Sequence, residues 1–89
     1  MEHRPERRKK TIHRIHRLQG QLSALERSIE EDTACENVVI QMRAIEKSVA
    51  SLIVHVVRGF LNHQIRDTMQ HDPDLALEEV ERIFELLHR

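Results

Sequence analysis

A long helical pattern between Thr33 and about Met69 constrains the fold of this chain more than any other feature. No proline interrupts it, and its apolar side chains recur every three or four residues. One seam comprises Val38, Met42, Ile45, Val49, Leu52 and Val56, and a second face comprises Ile53, Val57, Phe60, Leu61 and Ile65. About 35 residues of helix would be roughly 50 Å long, too long for a compact monomer of this size. A chain of 89 residues cannot cover both faces by itself, so the pattern predicts association between subunits.

A first helix is predicted before this one, from about Pro5 to about Glu31. Pro5 suits the first helical turn, where its missing N–H costs nothing. The apolar seam that follows has heptad spacing and consists of Ile15, Leu18, Leu22, Leu25 and Ile29. Gly20 lies inside this pattern, and we expect it to allow a neighbouring backbone to approach closely, with a simple flaw in the helix as the alternative.

The ends of the helices are marked by capping residues. Thr33 and Glu36 have the spacing of a capping box, which predicts Thr33 as the N-cap of the long helix. The sequence His71-Asp72-Pro73 ends that helix, and Asp72 or Asp74 can cap a third. The apolar stripe of the third helix comprises Leu77, Val80, Ile83, Phe84 and Leu87. The predicted class is all-α, with three helices per chain, two long ones forming an antiparallel four-helix bundle in a dimer that assembles into a tetramer.

The composition excludes several classes of protein. The chain has two glycines, two prolines, two phenylalanines and no tyrosine or tryptophan, which argues against an all-β fold. Its single cysteine excludes an intramolecular disulfide and an all-cysteine metal site within one chain. No Ser-His-Asp grouping, glycine-rich phosphate loop or HExxH motif appears, so we predict no enzymatic activity. Without a signal peptide or an apolar stretch of about 18 residues, we predict one cytoplasmic domain over residues 1–89 and no membrane partner.

Charge is distributed unevenly along the chain. Residues 1–17 carry seven basic and two acidic side chains, whereas residues 67–89 carry two basic and seven acidic ones. The basic residues of the first segment are Arg4, Arg7, Arg8, Lys9, Lys10, Arg14 and Arg17. Positive charge at a helix N-terminus opposes the helix dipole, which suggests a use beyond solvation. Two readings stay open: salt bridges between subunits arranged head to tail, or a flat basic surface that binds the phosphates of DNA.

Cys35 is the one reactive side chain with a distinctive position. The proposed capping places it in the first turn of the long helix, where free N–H groups and the helix dipole favour a thiolate. A thiolate binds soft metals or attacks electrophiles, and the alternative is a small buried hydrophobic residue. His13 and His16 are spaced to share a helix face, but their basic surroundings favour surface or nucleic-acid contacts over a cation. For His55 and His63, eight residues apart, we favour polar positions at a subunit seam.

The segment Arg14-Ile15-His16-Arg17-Leu18-Gln19-Gly20-Gln21, followed by Cys35 and then Arg58-Gly59, resembles the CsoR/RcnR/FrmR family of small bacterial repressors. The similarity runs without gaps from about Pro5 to Ile65 and more loosely through the third helix. This resemblance implies an all-helical dimer assembled into a flat tetramer that binds operator DNA until an effector releases it. The operator-binding residues it implies are Lys9, Lys10, Arg14, Arg17 and Gln21.

The sensor site of the family is matched only in part. Cys35 and His3 stand at sensor positions, but Phe60 and Gln64 replace the histidine and the second His or Cys that metal-sensing members carry. His63 is rotated by about 100° from Gln64 on an ideal helix, so it would need a local distortion to substitute. Open alternatives are a single-thiol sensor of electrophiles or sulfane sulfur, and an altered site of His3, Cys35 and His63 for Ni, Co, Zn or Cu. The rival to the repressor is a helical protein-interaction module or a paralogue without an effector response.

Overall fold

The computed structural model describes residues 5–89, which form helices and short connections. Helix α1 spans Pro5–Glu30 and α2 spans Cys35–Phe60. A π turn over Leu61–Ile65 leads into α3, Arg66–His71, and α4 spans Pro73–Leu87. The junctions of the π turn keep right-handed helical dihedral angles, so α2, the π turn and α3 form one continuous rod. The predicted all-α class and the three predicted helical segments are therefore confirmed.

Helices α1 and α2 form an antiparallel hairpin. Arg14 Nη1 donates to Ser51 Oγ near the middle of the hairpin, over 3.0 Å. Gln41 Nε2 donates to Ser28 Oγ near its loop, over 2.8 Å. The molecule measures 56 × 29 × 13 Å, so the hairpin is a flat layer only one helix thick. A layer of this kind has two broad faces, and no third helix of the described chain packs across either.

The loop between α1 and α2 corrects the predicted capping box. Asp32 adopts the left-handed conformation, with φ of 57°, that commonly ends a helix. The N–H of Thr33 donates to the carbonyl oxygen of Ser28 over 2.9 Å, so Thr33 belongs to the end of α1. The N-cap of α2 is Ala34, which has no side chain that could cap. The predicted role of Thr33 is therefore wrong, although Cys35 does begin α2 as expected.

The start of α4 follows the sequence closely. Asp72 is its N-cap, and Oδ1 of Asp72 accepts a hydrogen bond from the N–H of Leu75 over 3.1 Å. Pro73 occupies the first helical position, where it needs no hydrogen-bond partner. Of the two residues predicted as possible N-caps, Asp72 is therefore the N-cap, and Asp74 lies inside the helix.

One chain buries very little apolar surface. Among residues 5–89, only Ile65 and Ala76 are buried apolar residues. One broad face of the hairpin, which we call the apolar face, is between 39% and 61% exposed at its large side chains. Its residues are Leu22, Ile29, Met42, Val49 and Ile53. This exposure supports the argument that the two long helices need a second copy of the chain to cover them.

The two glycines have opposite surroundings. A Cβ atom added to Gly20 would meet no atom of the described chain within 4 Å, so the expected close approach does not occur within one subunit. Gly59 is buried, and a Cβ atom there would overlap the side chain of Arg7, whose Cδ would lie 3.1 Å away. Gly59 thus lets the start of α1 pack closely on the end of α2.

This difference predicts that adding one methyl group stabilises the protein at Gly20 and does not stabilise it at Gly59. Gly20→Ala should raise the free energy of unfolding by about 1 kcal/mol, because alanine favours the helix and meets no obstacle. Gly59→Ala should be less stable than Gly20→Ala by about 1–3 kcal/mol, because Arg7 must move. Urea unfolding at one fixed protein concentration measures both. A loss of stability in Gly20→Ala would contradict this prediction.

Candidate nucleic-acid interface and sensor thiol

Four of the five predicted DNA-binding residues lie along one side of α1. Lys10, Arg14, Arg17 and Gln21 follow one another at intervals of four, three and four residues, which places them on a common helix face. We call these four residues the basic stripe. The first three are exposed and Gln21 is half-buried. Lys9 is turned about 140° away from Arg14 on the helix and does not belong to the stripe.

The basic stripe borders a groove between α1 and α2. Helical spacing places this groove on the other side of the hairpin from the apolar face, and its volume is about 600 Å³. Its lining comprises Arg14, Arg17, Leu18, Gly20, Gln21, Ala24, Lys47, Ser48 and Ser51. The two broad faces of the hairpin thus differ in chemistry, one being apolar and the other basic with small side chains between its charges.

The charges of this face are not neutralised within the described chain. Arg14 donates to the hydroxyl of Ser51 rather than to a carboxylate. Over residues 5–89, neither Arg17 nor Lys47 forms an ion pair with Asp or Glu. By contrast, Arg43 on α2 pairs with Glu46 at 2.9 Å. The basic face therefore keeps positive charge that an anionic partner can use.

A polar junction of Arg7, Thr11 and His55 fastens the start of α1 to α2. The hydroxyl of Thr11 lies 3.0 Å from the carbonyl oxygen of Arg7, to which it donates. It also lies 2.9 Å from Nε2 of His55, so Nε2 carries the proton and donates to the hydroxyl. The Arg7 guanidinium donates to the carbonyl oxygen of His55. His55 thus makes contacts within its own chain, and its expected position at a subunit seam stays a prediction.

The sensor positions are split between the two ends of the hairpin. Cys35 is the first residue of α2, exposed and outside any disulfide. Phe60, the last residue of α2, is half-buried. These two residues are separated by about 37 Å of helix. A site containing both positions can therefore form only between subunits.

The π turn changes the register of the helix at the remaining sensor positions. Backbone hydrogen bonds in a π turn join residues five apart, so this turn contains one residue more than an α-helical turn and shifts the side chains that follow Phe60. Ile65 is accordingly buried, while Gln64 and His63 are half-buried. A local distortion of the helix, which His63 would need in order to substitute for Gln64, is thus present at this position.

Metal ligands do not gather within one chain. Among residues 5–89, no group of three or more His, Cys, Asp or Glu side chains could hold a metal ion. Phe60 has no donor atom, and the amide of Gln64 suits soft metal ions poorly. His3, the other candidate ligand, lies outside the described residues. The described residues of one chain alone therefore do not assemble a metal site.

Acidic residues flank Cys35 in the sequence. Glu30, Glu31 and Asp32 precede it, and Glu36 follows it in the first turn of α2. The loop end of the hairpin is therefore acidic, while the end that carries the start of α1 is basic. Two hairpins lying antiparallel would bring opposite charges together.

Lys47, Ser48 and Ser51 are site residues that sequence reasoning missed. They lie in α2, far along the chain from the basic segment, and form no motif. They reach the basic stripe only because the hairpin sets residue 14 opposite residue 51. The signal that could have found them is the antiparallel register of the two heptad seams.

The hairpin has one apolar face, which suits contact with another protein surface, and one basic face, which suits an anionic partner. The model of a family described as metal-sensitive transcriptional repressors matches residues 7–89. The chain belongs to this family, which consists of repressors and not of enzymes.

Two curated proteins show how far the similarity extends. The copper-sensing transcriptional repressor CsoR of Bacillus subtilis is 22% identical over 86 residues, covering 94% of this chain and 85% of that protein. An uncharacterised protein from the 5′ region of bioA in Serratia marcescens is 28% identical over 87 residues, covering 98% and 94%. No solved structure matches the chain significantly. None of the helices in residues 5–89 is long and apolar enough to span a bilayer.

The departures at Phe60 and Gln64 predict weak binding of copper. Cu(I) should bind far less tightly than to a complete Cys-His-Cys site, because two of the three donors are missing. Competition against a Cu(I) chelator measures the affinity, and Cys35→Ala is the control for any binding that the thiol provides. Tight stoichiometric binding, with a charge-transfer band from Cys35 to copper, would contradict the prediction.

Proposed function

We propose that this protein is a bacterial transcriptional repressor that binds operator DNA in the cytoplasm and is released by an effector at Cys35. The observation that carries the first half is the basic stripe beside the groove, whose exposed cations lack carboxylate partners among residues 5–89. Family membership supports the regulatory role. A flat surface of this kind reads phosphates and duplex shape more than base edges.

The proposed DNA-binding unit is an oligomer. The apolar face supplies the contact between two chains, because fully burying a Leu, Ile, Val or Met side chain is worth about 1.5–3 kcal/mol. Two hairpins packed through these faces form an antiparallel four-helix bundle, and the basic grooves then lie on its outer surfaces. Pairing of two such dimers gives the flat tetramer that we propose as the operator-binding form.

The proposed effector needs little more than the thiol of Cys35. Antiparallel association brings Cys35 of one chain towards the end of α2 in another, where Phe60 and Gln64 offer no strong metal ligand. An electrophile or sulfane sulfur is therefore the first candidate. A transition metal held by Cys35 with His3 or His63 is the second. Either effector acts only by binding the DNA-free arrangement more tightly than the DNA-bound one.

Salt dependence tests the DNA-binding half of this proposal. The affinity for a duplex from the protein's own promoter should fall steeply as salt rises, and Arg14→Ala and Arg17→Ala should each reduce the slope of log K against log salt. The expected reduction is about 0.9 for each phosphate that the variant no longer neutralises. The control is Arg82→Ala, which removes an exposed charge from α4.

Fluorescence anisotropy measures these slopes, and light scattering checks that each variant keeps the oligomeric state of the wild type. Equal affinity of the wild type for promoter and random duplexes would overturn the proposal that this protein is a repressor. It would favour the alternative of a protein-interaction module.

Replacing the thiol tests the effector half. Cys35→Ala should fold and bind the operator as the wild type does, because Cys35 is exposed and touches neither the groove nor the polar junction. It should lose operator release, measured against a panel of metals, aldehydes and polysulfides. The control is Cys35→Ser, which keeps a polar group of similar size. A normal response in both variants would show that this cysteine is not the sensor.

A further inference from the structure

We propose that Lys47 of α2 binds DNA phosphates, so that the duplex backbone contacts both walls of the groove and not α1 alone. This inference rests on the proposed function and adds a residue that neither the basic segment of the sequence nor the family motif contains. Lysine is a compact charge with three donors on a flexible stem, which suits a phosphate contact.

The hairpin register places Lys47 beside the basic stripe. Ser51 accepts a hydrogen bond from Arg14 across the groove. Lys47 stands one helical turn before Ser51 and lines the same groove, as do Arg17 and Gln21. Cations therefore border the groove on both sides, two from α1 and one from α2.

The groove is open enough for a sugar-phosphate backbone to approach. Gly20 and Ala24 on α1 and Ser48 on α2 are small residues in its lining. The space above Gly20 is empty of described atoms to at least 4 Å from the position of a Cβ atom. A phosphate near the centre of this face would lie close to the hydroxyls and basic groups of the lining.

The charge of Lys47 is available, whereas that of its neighbour on α2 is not. Lys47 is exposed and has no ion pair among residues 5–89. Arg43, one turn earlier and also exposed, is bound to Glu46 at 2.9 Å and does not line the groove. Lys47 and Arg43 thus form a matched pair, because both are exposed cations of α2 and only Lys47 lines the groove.

The test compares Lys47→Gln with Arg43→Gln and Lys47→Arg. Lys47→Gln should lower the slope of log K against log salt by about 0.9 for each copy of Lys47 that contacts the duplex. It should weaken binding to promoter and random duplexes by the same factor, because a phosphate contact carries no sequence information. Arg43→Gln and Lys47→Arg should leave the slope unchanged.

Three outcomes would overturn the proposal, and they can be told apart. If Arg14→Ala lowers the slope and Lys47→Gln does not, the proposed repressor function is retained, but DNA contacts α1 alone. If Lys47→Gln changes the molecular mass in light scattering, the groove is an interface between copies of this chain. If the wild type binds no DNA, the proposed function fails together with this inference.

Discussion

The organisation of this protein depends on an apolar face that one chain cannot cover. Two long helices in a layer one helix thick can bury only the side chains between them, and the outer positions of both seams stay exposed. A longer chain would fold another helix across them. Here α4 is held by α3 and the π turn, at the far end of the rod, so no element of the described chain covers this face. In the oligomer that we propose, assembly is part of folding, so we expect the free energy of unfolding to depend on protein concentration.

The same constraint explains why the two faces of the hairpin differ. Once one broad face is used for assembly, only the other remains outside, and charge on it does not have to be buried. The polar junction holds the start of α1 against α2 despite the repulsion among its arginines and lysines. Thr11 is only 8% exposed within this junction, which makes it the one buried polar residue of the described chain. Holding the charged surface in place in this way lowers the ordering cost of binding a regular polyanion.

The helices could be predicted from the sequence because helical periodicity is visible in the spacing of apolar residues, every three or four positions along the chain. Sequence reasoning placed Cys35 in the first turn of α2 and Asp72 at the start of the last helix. It failed at Thr33, because a capping motif says nothing about whether the N–H of that residue already closes the preceding helix. It also could not foresee the π turn, since one extra residue in a turn leaves no mark in the pattern. Lys47 was missed because its role depends on which residues of α1 lie opposite it.

A groove with one wall on each helix offers a physical route from the thiol to the DNA. Cys35 begins α2, and Lys47 lies about 18 Å further along that helix, while Arg14 and Arg17 belong to α1. A group added to Cys35 that shifts α2 along α1 would separate the two walls, whereas phosphates bridging them would resist the shift. The effector and the DNA would thus favour different positions of α2 relative to α1. By linkage, the coupling free energy by which the effector weakens DNA binding equals that by which DNA weakens effector binding. Operator DNA would then reduce the affinity for a reversible effector by the factor with which that effector weakens DNA binding.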